Sequence, residues 1–217
     1  MACNCLNTGL GEVFGERFAR TEARRFRKHG LTRRAQQLIE VIRPLVRFHE
    51  ATLLEGGAGV GGVSIELLRH GMRHATIVDA VPAAVRMART LAEEYGVAHR
   101  MSGVVADFAH MDDDSVHDLV VLDRVVCCYP DWRALLEAAA DRASRAIALT
   151  YPREAWWTRF GVSAGNAVLW LGRRHFRLHV HPPAAMHALL RTRGFAPRVA
   201  GRVGIWEICV APRLAEG

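Results

Sequence analysis

Apolar residues along this chain follow two spacings that take turns. Short, largely apolar runs at 51–54, 75–78, 118–122 and 146–150 read as buried strands, because a strand covered on both faces needs no polar alternation, and 97–105 reads as a further strand. Between them the apolar positions fall at helical spacing. Val63, Ile65, Leu67 and Leu68 form one stripe that stops at Gly71, Pro82 opens a helix over 83–94, and Asp131 caps another that runs to Ala140. Strand alternating with helix predicts an α/β fold on a mostly parallel sheet. Two helices precede the first strand. One spans 13–29 with Phe14, Phe18 and Phe26 set among arginines, and the other is capped by Thr32, carries Ala35, Leu38, Ile39 and Ile42, and ends before Pro44. After a last helix over 184–193, opened by Pro182 and stopped by Gly194, the segments 195–203 and 204–210 read as a closing β-hairpin.

The densest local signal is Leu53 to Gly61, an apolar strand breaking into a glycine turn that opens a helix. Gly57, Gly59 and Gly61 permit positive φ and let backbone N–H groups approach a ligand, with Glu55 at the strand's end. Such a turn accommodates either a pyrophosphate or the methionine and ribose parts of a nucleoside cofactor. No Gly-Lys-Ser/Thr follows, which argues against a P-loop. Asp79 ends the second strand, roughly 20 residues further on, where an acid can grip both ribose hydroxyls or cap the following helix.

These residues resemble the first motif of the class I S-adenosylmethionine (SAM)-dependent methyltransferases, a strand ending in an acid followed by Gly-x-Gly-x-Gly, matched by Glu55, Gly57, Gly59 and Gly61. Gly56 is an extra glycine, read as letting the loop sit closer to the cofactor. A second match is the segment from Asp123 to Tyr129-Pro130-Asp131, similar to a small-molecule branch that includes quinone-biosynthesis and magnesium-protoporphyrin O-methyltransferases. That branch carries two histidines where this chain has Cys127 and Cys128. The resemblance implies a Rossmann-like seven-stranded sheet, mostly parallel with an antiparallel C-terminal hairpin and helices on both faces. It implies SAM as cofactor, held by Glu55, Gly56, Gly57, Gly59, Asp79, Ala80, Asp107, Phe108 and Asp123, with Asp107 accepting the adenine amino group and Phe108 lining the ring. Residues 1–50 would form a helical cap over the cleft and 51–211 the methyltransferase domain, interrupted by a lid-like aromatic insertion at 154–181.

The chain's 217 residues suit one α/β domain with a sizeable core. Its charge of +7 is carried by arginine, with Lys28 the only lysine, and much of it crowds residues 17–34. That run reads either as a nucleic-acid or anionic-surface footprint or as a solvated helix face; the second is preferred, and no stable nucleic-acid partner is expected. Five cysteines without a secreted framework's spacing, no apolar leader and no span of membrane length predict a cytoplasmic protein with reduced thiols. Cys3 and Cys5 lack the further ligands of a metal clip, so no metal site is expected.

For chemistry, Asp123, Tyr129, Cys127 and Tyr151 are the catalytic candidates, since loops after the C-terminal ends of strands meet substrate in open α/β sheets. Arg124 and Arg153 share that placement. Adjacent side chains tend to diverge, so one of Cys127 and Cys128 is expected in the core and the other toward the cleft. The insertion, from Ala155-Trp156-Trp157 to Leu169-Trp170-Leu171, reads as a lid or an extra core helix, with peripheral membrane contact as a third option. His179 and His181 share one face of an extended segment, where surface or lid contacts are preferred to metal ligation. The expected partner is a small acceptor, aromatic or apolar with an anionic group. An RNA-modifying enzyme and a non-catalytic protein of the same fold are the alternatives.

Overall fold

The computed structural model describes residues 9–215; Cys3 and Cys5 lie outside them. Seven strands form one sheet in the order β3-β2-β1-β4-β5-β7-β6. The strands are β1 Thr52–Gly56, β2 His74–Asp79, β3 Met101–Val105, β4 His117–Asp123, β5 Ala143–Pro152, β6 Arg198–Val203 and β7 Trp206–Pro212. The first five pair in parallel, and β7 runs antiparallel to both β5 and β6. This is the class I methyltransferase fold, as expected. Its reversal of strand order falls between β1 and β4, so the C-terminal ends of those strands splay apart and leave a crevice.

Helices cover both faces, which is why Leu53, Leu54 and Leu119 to Leu122 are fully buried without alternation. On one face pack α3 (Arg33–Ile42), α4 (Gly62–Arg69) and α5 (Pro82–Glu94), through Leu38, Ile42, Ile65, Leu68 and Leu91. On the other, α6 (Trp132–Arg142) and α8 (Pro183–Thr192) bring Leu135, Leu136, Met186 and Leu190 together. Thr32 caps α3 by accepting from the Ala35 N–H at 3.4 Å, and Asp131 caps α6 by accepting from Ala134 at 3.1 Å.

Two boundaries differ from expectation. The predicted helix over 13–29 is two, α1 Leu10–Phe14 and α2 Glu16–His29, broken at Gly15 in extended backbone. The predicted strand over 97–105 begins only at Met101, because 98–100 make a turn of 3₁₀-helix, tighter than a strand can follow. Part of the basic run on α2 is matched by acids: Arg20 meets Glu16, Arg27 meets Glu94 at 2.7 Å, and Arg25 meets Glu22, while Glu16 also takes Arg86 of α5. Helix α7 (Trp156–Leu171) stands apart, with Thr158 its one buried residue. It is therefore no core helix. No described helix is long and apolar enough to cross a membrane.

Candidate active site

A cavity of about 350 Å³ opens at the C-terminal ends of β1, β2 and β4. Its floor is the β1–α4 turn. Gly57, Gly59 and Gly61 all take left-handed φ, between 56° and 71°, where a side chain is strained. At Gly59 an added Cβ would meet no atom within 4 Å, so the turn presents bare backbone to the cavity. Asp79 holds it there: its carboxylate accepts from the Gly59 N–H and the Val81 N–H, each at 2.8 Å. Burial pushes the Asp79 pKa up while those two backbone donors pull it down. The acid thus fixes the turn and the start of α5 together, with carboxylate lone pairs left for a ligand.

Glu55 serves the same turn from below. It is buried and accepts from the Ser64 N–H at 3.0 Å and from the Ser64 hydroxyl, tying β1 to the first turn of α4. Burial pushes its pKa from 4.5 to about 7, against the pull of Ser64. Since the folded value is the higher, protonated Glu55 favours the fold. Its contribution is complete below about pH 4.5 and is lost as pH rises through about 7. Glu55→Gln keeps an acceptor for Ser64 without the buried charge. It should flatten the stability profile between pH 5 and pH 8 by an amount on the order of 3 kcal/mol, read by urea unfolding across pH.

One side of the cavity is formed by Asp107, Phe108 and Tyr129. Asp107 accepts from the Tyr129 hydroxyl at 2.8 Å and the Ala109 N–H at 3.2 Å, and faces His110 at 3.1 Å. Phe108 packs on Gly56, where an added Cβ would sit 2.5 Å from the ring and 2.8 Å from Leu122. Gly56 does not line the cavity. It makes room for Phe108 and Leu122, which corrects the expectation that it brings the loop nearer a cofactor. Gly56→Ala should cost about 1–3 kcal/mol by overpacking and should displace Phe108, seen as a lower Tm together with weaker nucleoside binding.

At the end of β4 the side chains interlock. Asp123 forms an ion pair with Arg34 and accepts from the Thr150 hydroxyl at 2.6 Å. The Thr150 oxygen in turn accepts from the Arg124 N–H at 2.9 Å. Arg34 is buried beneath Trp206, 5.6 Å from the ring centre. Burial and the neighbouring Arg124 pull its pKa down to about 9, so it remains a cation at neutral pH. Arg124 takes a left-handed φ of 62°, a strained state for arginine that aims the backbone N–H at Thr150. Its guanidinium lies 3.6 Å from Glu22 on α2.

Residues 53–145 match the family described as "Methyltransferase domain". By this match the segment is similar to methyltransferase domains. In solved structures the whole chain's fold is similar to that of the Synechocystis magnesium protoporphyrin IX methyltransferase with bound SAH, with a TM-score of 0.70 at 19% identity, over 95% of this chain and 97% of that one. An O-methyltransferase family protein of Burkholderia thailandensis gives a TM-score of 0.72 at 16% identity, covering 98% of this chain and 67% of that one. The O-methyltransferase NcsB1 of neocarzinostatin biosynthesis, solved with SAM and 2-hydroxy-5-methyl naphthoic acid, gives 0.65 at 18% identity, over 94% and 60%. A search of curated proteins finds no match.

The cavity gathers Glu55, Gly57, Gly59, Asp79, Ala80, Asp107, Phe108 and Asp123 from four separate strand ends. The catalytic candidates fare differently. Tyr151 does not line the cavity; it is buried on the far side, bonded to His187 at 2.8 Å, with burial and the neighbouring Cys209 and Glu207 raising its pKa well above the ordinary phenol range. Arg153 also points elsewhere, onto the Trp157 ring. Tyr129 and Asp123 line the cavity, yet the hydroxyl of one is bound to Asp107 and the carboxylate of the other to Arg34 and Thr150, so neither is poised as a general base.

Cys127 and Cys128 do not diverge. A turn of 3₁₀-helix at Val126–Cys128 brings the two sulfurs within 3.7 Å, both at 3.5 Å from the Arg124 carbonyl, and both line the cavity. The Cys128 thiol holds the Cys127 pKa below the ordinary thiol value, with burial opposing it and Arg124 and Arg34 adding to it. From the 154–181 insertion only Leu178 reaches the lining, so α7 itself is not the lid. The cover comes from α1 and α2, through Leu10, Phe14, Phe18, Glu22, Arg25 and Phe26. His179 and His181 stack on each other at 5.4 Å, and His181 bonds the Tyr129 carbonyl at 2.9 Å. Among the described residues no three His, Cys, Asp or Glu side chains form a metal-binding group. Sequence reasoning missed Arg34, Thr150, Ser64 and His110 as parts of the site, since each acts through a contact that only the fold creates.

Proposed function

We propose that the protein is a SAM-dependent methyltransferase acting on a small apolar or aromatic acceptor that carries an anionic group. The observation that carries the cofactor reading is the bare Gly59 backbone, fixed by Asp79 at the edge of a cavity that also holds Asp107 and Phe108. Asp79 would take the ribose hydroxyls, Phe108 the adenine face and Asp107 the adenine amino group. The bound cofactor supplies an electrophilic methyl group. The chain's own work is alignment and exclusion of water: the glycine turn and Asp79 fix one reactant, and Phe14, Phe18 and Phe26 on α1 and α2 shield the space above. Among the described residues the Tyr129 hydroxyl and the Asp123 carboxylate are both held by partners, which favours an acceptor that brings its own negative oxygen, such as a carboxylate or an acidic phenol. Arg124 is the cation best placed to bind it. Its partner Glu22 is loosely held, whereas Arg34 is committed to Asp123.

The test of the cofactor is calorimetric titration with SAH, with NAD as control. Tight SAH binding without NAD binding supports the reading; silence with SAH overturns it. For the acceptor, Arg124→Gly is the informative variant, because glycine tolerates the positive φ and the fold should persist. We expect KM for an aromatic carboxylic acid to rise about ten-fold or more with SAH affinity unchanged.

A further inference from the structure

Helix α7 leaves most of its large apolar side chains in water. Its inner side carries Thr158, Val162, Gly165, Asn166 and Leu169, while Trp156, Phe160, Ala164, Ala167 and Leu171 lie along its outer face at helical spacing, with Ser163 among them and Arg159 at the edge. Trp156 is 80% exposed, Phe160 72% and Leu171 73%. No acid lies within the helix. From Arg153 to His181 the chain has five arginines (153, 159, 173, 174 and 177) and one acid, Glu154, which is paired with Arg159. Asn166 anchors the helix by two bonds to the Leu178 backbone, at 2.8 and 2.9 Å, and Leu178 lines the cavity.

From this we infer that α7 is an interfacial helix that lays its outer apolar face into an anionic phospholipid bilayer. The helix is about 24 Å long, too short to span but suited to lying flat. Tryptophans at both ends are the side chains that favour the headgroup boundary, and the flanking arginines meet lipid phosphates there. A second copy of the chain is the poorer occupant. A two-fold contact through α7 would bring both sets of arginines together without acids to meet them. Docking through α7 also brings the Leu178 edge of the cavity close to the bilayer, which suits an apolar acceptor drawn from it.

The test is sedimentation of the full chain with phosphatidylcholine vesicles, with and without phosphatidylglycerol, alongside gel filtration and tryptophan emission. The companion variant is Trp156→Ser/Phe160→Ser, whose solvent-facing changes should leave Tm and SAH binding as they were. The expected result is sedimentation and a blue-shifted emission with phosphatidylglycerol vesicles, weakened about ten-fold or more by the double substitution and by high salt. No sedimentation with either vesicle overturns the inference, and equal sedimentation with both overturns its anionic part. A dimer in gel filtration that the double substitution dissolves, without vesicle binding, assigns the face to a second copy instead. Vesicle binding is read independently of SAH binding, so failure of one leaves the other standing.

Discussion

Asp79→Ala should weaken SAH binding by about a hundred-fold or more while leaving the sheet intact. Two effects add. The proposed ribose contacts are hydrogen bonds to a charged acceptor, each worth roughly 1.5–3 kcal/mol when lost. The same carboxylate also restrains the Gly59 and Val81 N–H groups, so without it the glycine turn must be ordered by the ligand at the ligand's expense. Calorimetry at neutral pH measures the loss, and an unchanged affinity would sink the assignment of Asp79 to the ribose. In the proposed site the ionised carboxylate would be the form that binds, and burial raises its pKa. Affinity in the unsubstituted protein should therefore begin to fall at a pH above the ordinary aspartate range as the solution is acidified, whereas the variant's residual affinity should lack that step.

Arg34→Ala should destabilise the protein by about 3–5 kcal/mol, the cost of leaving one partner of a buried ion pair alone. Both side chains are enclosed, at 7% and 9% exposure, and Asp123 would keep only the Thr150 hydroxyl as a donor. The deficit should shrink at acid pH, where a lone buried carboxylate takes up a proton. Adding Asp123→Asn to Arg34→Ala should recover part of the loss, because no uncompensated charge remains. Urea unfolding of the two single variants and the double isolates the coupling, and additive losses would mean that the pair contributes nothing of its own. Because the pair sits under the cavity beside Arg124, the single variant should also lose acceptor turnover.

These two variants probe different layers of one design. Asp79 acts from the end of its own strand on a turn reached by backbone alone. Arg34 comes from a helix before the sheet and meets the end of β4 from a distant part of the chain, with Trp206 from the last strand closing over it. The same distinction governed what could be read beforehand. Strand ends and glycine turns are local: an apolar run, an acid and glycines adjoin in sequence, so Glu55, Gly57, Gly59 and Asp79 were legible from the residues, whereas Asp107 and Phe108 were implied by the resemblance. The mostly parallel sheet with its antiparallel C-terminal hairpin followed from the alternation of runs and stripes together with the resemblance, whereas the order of the strands came only with the structure.

What the sequence could not convey is which side chain meets which across the crevice. Tyr151 looked like a cavity residue because it ends a strand, yet the strand's pleat turns it toward α8 and His187. Cys127 and Cys128 looked divergent because extended neighbours diverge, but a 3₁₀ turn draws their sulfurs together. Gly56 looked like part of the ligand loop, and only the position of the Phe108 ring shows what its missing side chain is for. The aromatic insertion could be recognised as apolar but not as facing outward, since that depends on how Asn166 and Leu178 fix the helix about its axis. The sequence, read together with the resemblance, determined the fold class and singled out residues at the strand ends that the cavity gathers, because strand ends and glycine turns rest on short-range backbone chemistry. The tertiary structure alone decided the charge pairing, the cover and the exposed face, because each depends on groups that are distant in the chain and meet only when the sheet is assembled.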